Sequence, residues 1–138
     1  MPSKNNHLST AIDNRELAVS LLGTEKRSLA WATTISFYAA LHLVEAALAE
    51  SGQHFDDHST RNFHLKKTKK LQNIWKHYKP LYDHSLKARY LMTDGDSAEN
   101  LIDQHLGEAG IRDKIIGHHL RQIEKSVCKI LKVDSVFE

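Results

Sequence analysis

Apolar residues recur every three to four positions along most of the chain, and no segment alternates with the two-residue period of a strand. The first helix is expected over about 9–22, capped by Ser9 or Thr10, with Leu17, Leu21 and Leu22 inward and an end near Gly23. Residues 1–8 are read as a disordered tail. The second, over about 26–51, places Trp31, Ile35, Tyr38, Leu41, Ala46 and Leu48 on one face and stops at Gly52. Rich in alanine and leucine, it is the expected central, most buried helix. A third follows over about 59–78, with Phe63, Leu71, Ile74, Trp75 and Tyr78 on its apolar half. Pro80 should break or kink the chain, because its ring clashes with the preceding turn, and a short helical piece (LYDHSLKARYL) comes after it. The last helical region spans about 97–132, interrupted near Gly107 and Gly110, with Ile116, Leu120, Ile123, Val127 and Leu131 in register. These elements predict an all-α, up-and-down bundle of four main helices with a short additional one.

Composition narrows the class. At 138 residues the chain has room for one domain, residues 1–138. Two prolines and six glycines are too few for the turns of a small β-sandwich or barrel. A single cysteine, Cys128, read as a small buried hydrophobe, excludes an internal disulfide framework and a multi-cysteine zinc site. No unbroken apolar run reaches the roughly 18 residues of a membrane span, and the amino terminus has no signal-peptide core. The expectation is a cytoplasmic protein with no membrane partner.

Net charge is +2, but unevenly spread. Residues 1–60 carry four Lys/Arg against seven Asp/Glu, residues 61–90 nine against one, and residues 91–138 six against nine. The basic middle places Arg61, Lys66, Lys69, Lys70, Lys76 and Lys79 on the polar half of the third helix, with Lys67 the exception. Clustered cations favour a polyanionic partner, because binding releases condensed counterions; the alternative is a solvated helix face. Phe63, Trp75 and Tyr78 interleave with these lysines as in single-strand binders, although their shared face places them first in the core.

The run SFYAALHLVEAALAESGQHFDDHSTRN (36–62) resembles the core of the HEPN family, the higher eukaryote and prokaryote nucleotide-binding domains. Phe37, Tyr38, His42, Ala46, Gly52 and His58 fall where that pattern puts an aromatic pair, a histidine, a small-residue turn, a glycine and a second histidine. YKPLYDHSLKARY (78–90) resembles a downstream segment of the same family. The resemblance implies a homodimeric HEPN-like bundle that binds RNA or a nucleotide and needs no cofactor. It leaves two activities open. One is a metal-independent endoribonuclease of toxin or defence type, built on an Arg-x(4–6)-His motif and held in check by an antitoxin partner. The other is a non-catalytic nucleotide-binding or partner module, such as the companion subunit of a small nucleotidyltransferase.

The last helix supplies the motif as Arg112-Asp113-Lys114-Ile115-Ile116-Gly117-His118-His119. Metal-free RNA cleavage needs a base for the 2′-hydroxyl, which histidine provides near neutral pH, and fixed positive charge on the phosphate, which a guanidinium provides. Arg112 would clamp the scissile phosphate and His119 or His118 would move protons. On a regular α-helix Arg112 and His119, seven residues apart, share a face, which favours His119. At the start of the third helix, His58 with Arg61 could hold a phosphate on free backbone N–H groups. Tyr38 and His42 are pocket candidates, although His42 reads first as a hydrogen-bonded core histidine. His54, Asp56, Asp57, His58 and His64 crowd one stretch, but the spacing matches no ligand signature, so no metal is expected there. His77, His84 and His105 carry no signal in the sequence.

Overall fold

The computed structural model describes residues 2–23, 28–90 and 98–137. Among them there is no strand, and helices account for nearly all of the backbone. Helix α1 (Lys4–Leu22) begins earlier than the periodicity predicts, because Ser3 caps it by accepting from the Asn6 N–H. Residues 4–8 are therefore helical. Its buried positions are His7, Ala11, Ala18 and Leu22, while Leu17 is exposed, so the apolar stripe lies on a different side from the one the leucines mark.

Helix α2 (Leu29–Glu50) starts at the Ser28 cap and ends before Gly52, whose φ of +74° is the left-handed conformation a glycine takes at least cost. It is the central helix, as its composition requires. Its length and apolarity alone would allow it to cross a membrane, but 78% of the apolar stretch is buried inside the bundle. Buried Thr33, Thr34 and Ser36 return their hydroxyls to the Leu29, Ala30 and Ala32 carbonyls, which pairs all three within the helix. Trp31, expected inward, is 63% exposed.

The third predicted helix is two. Helix α3 (His58–Lys67) ends at Thr68, which is extended (φ −90°, ψ 115°). A 3₁₀ turn (Lys69–Leu71) then leads into α4 (Gln72–Tyr90). The corner uncouples the two faces. Helix α3 buries Arg61 and Leu65 and leaves Phe63 64% exposed, whereas Leu71, Ile74 and Tyr78 are buried and Trp75 is half-buried.

Pro80 neither ends nor divides α4, which runs through it. An interior proline costs about 3 kcal/mol in lost hydrogen bonding and ring clash. Here Ile74 and Tyr78 before it and Leu81 and Ser85 after it are all buried, so a continuous helix is what keeps both halves packed.

After α5 (Ala98–His105), Gly107 (φ +67°) opens a last long helix, α6, which comprises Gly107–Gly110, Ile111–Leu120 and Arg121–Leu131. Its middle section has the wider i→i+5 pairing of a π-helix. Ile116, Leu120, Ile123, Val127 and Leu131 are all buried, as their register predicts. The chain then folds back. Buried Glu124 accepts from the Val136 and Phe137 N–H groups and from the Ser135 hydroxyl, which docks Phe137 into the core.

The four long helices are α1, α2, α4 and α6. Phe37 of α2 lies at the centre, its ring 5.4 Å from Tyr78 and 5.7 Å from Tyr82 of α4. Helices α4 and α6 run antiparallel, since Asn73 bonds Ser126 (2.8 Å) while His77 meets His119 one helical turn further along α4 (3.1 Å).

Candidate functional site

The α4/α6 seam carries two arrangements that involve charge or titratable groups. The first is a groove of about 520 Å³ at its open end, lined by Lys125 and Lys129 of α6 and by Lys132 just past the end of that helix. Lys125 and Lys129 stand at i and i+4 on the helix, which aligns them, and Lys132 follows at its left-handed cap (φ 59°); all three are exposed. Asn73 of α4 closes the other wall and ties it to α6 through Ser126. Lys69, in the turn before α4, and Lys76 lie four before and three after Asn73 in the sequence and are exposed. Asp134 is the one acidic residue lining the groove. Cys128, buried as expected, forms part of its floor, and burial raises its thiol above the ordinary value.

Lys66, Lys67, Lys69, Lys70, Lys76 and Lys79 are all exposed. Lys79 pairs with Asp83 at 2.6 Å, and Lys67 sits 5.9 Å from the ring centre of exposed Phe63. The sequence therefore locates the basic segment correctly, but it misses Lys125, Lys129 and Lys132. They lie in a carboxy-terminal third of net negative charge, and only the fold turns them toward α4. Their i, i+4, i+7 spacing was the available signal.

Arg61, expected beside these lysines as a phosphate ligand, is instead buried (4% exposed). Its Nη2 donates to the Phe55 carbonyl (2.6 Å) and lies 3.7 Å from Glu45 Oε1, and its Nη1 meets His58 Nδ1 at 3.3 Å. The α3 amino terminus is also taken, because Asp57 caps it by accepting from the Thr60 N–H. His58 packs between Phe37 and Tyr82, and burial and the neighbouring Arg61 and Arg89 cations hold its pKa below the ordinary value. His58 and Arg61 thus brace the interior rather than face a ligand.

Tyr38 and His42 engage different neighbours. The Tyr38 hydroxyl accepts from Arg89 of α4 (3.1 Å), whose guanidinium also stacks over the Phe37 and Tyr38 rings. His42 Nδ1 meets His7 Nδ1 of α1 at 3.0 Å, and burial together with His7 and Arg61 lowers the His42 pKa to about 4. His54, Asp56, Asp57, His58 and His64 form no convergent ligand set: His54 pairs with Glu45 and Asp56, His58 faces Arg61, and His64 stacks on Phe55.

The second arrangement on the seam involves His118 and His119. The π-helical section turns less per residue than an α-helix, so a seven-residue separation no longer closes on two turns. Arg112 points to Glu108 (3.4 Å) and lies beside Gly23 at the end of α1. His119 points to α4, its Nδ1 3.1 Å from that of His77. No hydrogen bond or ion pair joins Arg112 to either histidine. His77, which carried no signal, completes a cluster in which ring centres lie 5.2 Å (His77–His118), 5.3 Å (His77–His119) and 5.0 Å (His118–His119) apart. His77 is buried, His119 half-buried and His118 exposed. Burial and the adjacent His118 and His77 rings lower the His119 pKa to about 4, and burial, His118 and Lys76 lower that of His77.

No protein-family model, curated protein or solved structure matches this chain.

Proposed function

We propose that this protein is a HEPN-like helical domain that binds single-stranded RNA as a binding module, through the lysine-lined groove between α4 and α6. The observation that carries this reading is the row of Lys125, Lys129 and Lys132 lining the groove opposite Asn73, with exposed Lys69 and Lys76 within four residues of Asn73 in the chain. Three exposed ammonium groups against a single carboxylate in the groove lining provide a positive surface that a phosphodiester backbone can follow. Exposed Phe63 in the adjoining basic corner adds a ring on which a base can stack. The ribonuclease reading finds less support, because Arg112 pairs with Glu108 and lies beside Gly23 whereas His119 meets His77 of α4, and no hydrogen bond or ion pair joins Arg112 to His119.

Fluorescence anisotropy with a labelled single-stranded oligonucleotide, in EDTA and over a range of salt, tests the proposal. With five lysines engaged, the log–log salt slope should be about −3.5, and the K125A/K129A/K132A variant should flatten it by about 2. Phe63→Ala should weaken binding about tenfold, as expected for one stacked base. Unchanged affinity and slope in the triple variant would remove the groove from the binding surface. RNA cleavage in EDTA that disappears in Arg112→Ala would instead favour the endoribonuclease.

A further inference from the structure

The histidines at positions 77, 118 and 119 come from two helices and converge without any carboxylate or cysteine among them. One donor nitrogen from each lies within 4.8 Å of the other two. Consecutive residues on an α-helix diverge by about 100°, which would separate His118 from His119. The π-helical section reduces that divergence and brings both rings to the α4 side. Gly117 makes the wide turn feasible: a Cβ there would lie 2.8 Å from the Arg112 carbonyl oxygen. A local backbone departure, and the one residue that permits it, thus sit directly before the histidine pair.

We infer that His77, His118 and His119 form a binding site for a late first-row divalent cation, represented here by Zn²⁺, with a fourth position open to water on the solvent side. Three imidazoles suit this class of ion, and three protein ligands plus water is the pattern of open zinc sites. The 3.1 Å between the Nδ1 atoms of His77 and His119 approximates the edge of about 3.3 Å set by tetrahedral Zn–N bonds of about 2.0–2.1 Å. His118 is exposed, so a side-chain rotation brings its nitrogen onto the ion without disturbing the core. Buried His77 forms the floor and half-buried His119 the wall. The site lies roughly 10 Å along the seam from Ser126 and the groove, counted as seven residues of helix rise. It stands independently of the RNA reading, since none of its ligands lines the groove.

The test is Zn²⁺ titration of the full chain, stripped with EDTA and dialysed, in competition with a chromophoric chelator. One ion per chain is expected. His118→Ala and His119→Ala, both outside the fully buried core, should each weaken it about 100-fold. His54→Ala, which removes a histidine from the separate group around Glu45, should leave it unchanged. Circular dichroism of each variant verifies folding. No stoichiometric binding, or binding that is equal in the wild type and in both the His118 and His119 variants, overturns the site. So does a loss confined to His54→Ala.

Discussion

Replacing Arg61 separates two roles that the sequence alone cannot distinguish. If the guanidinium is an internal strut, Arg61→Met removes the cation from beside Glu45, whose side chain is 1% exposed. The carboxylate then keeps only the Phe55 N–H (3.1 Å) and His54 Nδ1 (3.3 Å), and the Phe55 carbonyl loses its 2.6 Å donor. Breaking a buried ion pair from one side costs about 3–5 kcal/mol. With a urea m-value of about 1.5–2 kcal/mol/M, the midpoint should fall by roughly 2 M. The double variant Glu45→Gln/Arg61→Met removes the orphaned charge as well and should recover a large part of that loss. Urea denaturation at pH 7 followed by circular dichroism gives both values, and 0.5 M NaCl should not narrow the difference, because buried pairs are poorly screened. An Arg61→Met protein within about 1 kcal/mol of wild type that has lost RNA affinity would refute this account and return Arg61 to the binding surface.

Gly117→Ala forces a Cβ against the Arg112 carbonyl, so it should destabilise the fold by about 1–3 kcal/mol, visible as a lower Tm in a thermal melt. A melt unchanged from wild type would show that α6 has no wide turn there. His42 is held neutral in the fold, its pKa depressed from 6.5 to about 4, whereas the unfolded chain protonates at the ordinary value. Its contribution to stability is therefore complete above pH 6.5 and lost as pH falls toward 4. For a half-buried pair with His7 the loss is about 1–3 kcal/mol. Denaturant unfolding at pH 7 and pH 4.5 should show this difference, reduced in His42→Asn. Glu124→Gln weakens the charge-assisted hold on the Val136 and Phe137 amides and should cost about 2–3 kcal/mol. Hydrogen exchange should then speed up at those two amides before it does so in α2.

The apolar period of 3.6 was sufficient to place α2 and the inward face of α6, because residues three and four apart share a helix face over many turns and need no distant partner to be recognised. The same local rule failed where burial depends on what lies opposite. Phe63 and Trp31 share a period with core residues but are exposed. Arg61 belongs to a basic run in sequence, yet it turns inward because Glu45 and the Phe55 carbonyl await it.

Breaks in the helices followed the same division. Thr68 ends α3 without proline or glycine, and Pro80 passes through α4, since packing on both sides of each position outweighed its intrinsic preference. The candidate sites were still less legible. Lys125, Lys129 and Lys132 were hidden in an acidic third of the chain, and His77 in a stretch with no motif.

The sequence by itself determined that this is an all-helical chain with one alanine-rich central helix and a basic middle segment, because those properties follow from residue type and short-range spacing. Tertiary structure alone decided which cations line the α4/α6 groove and which histidines converge, because an antiparallel helix pair brings together residues 42 and 53 positions apart.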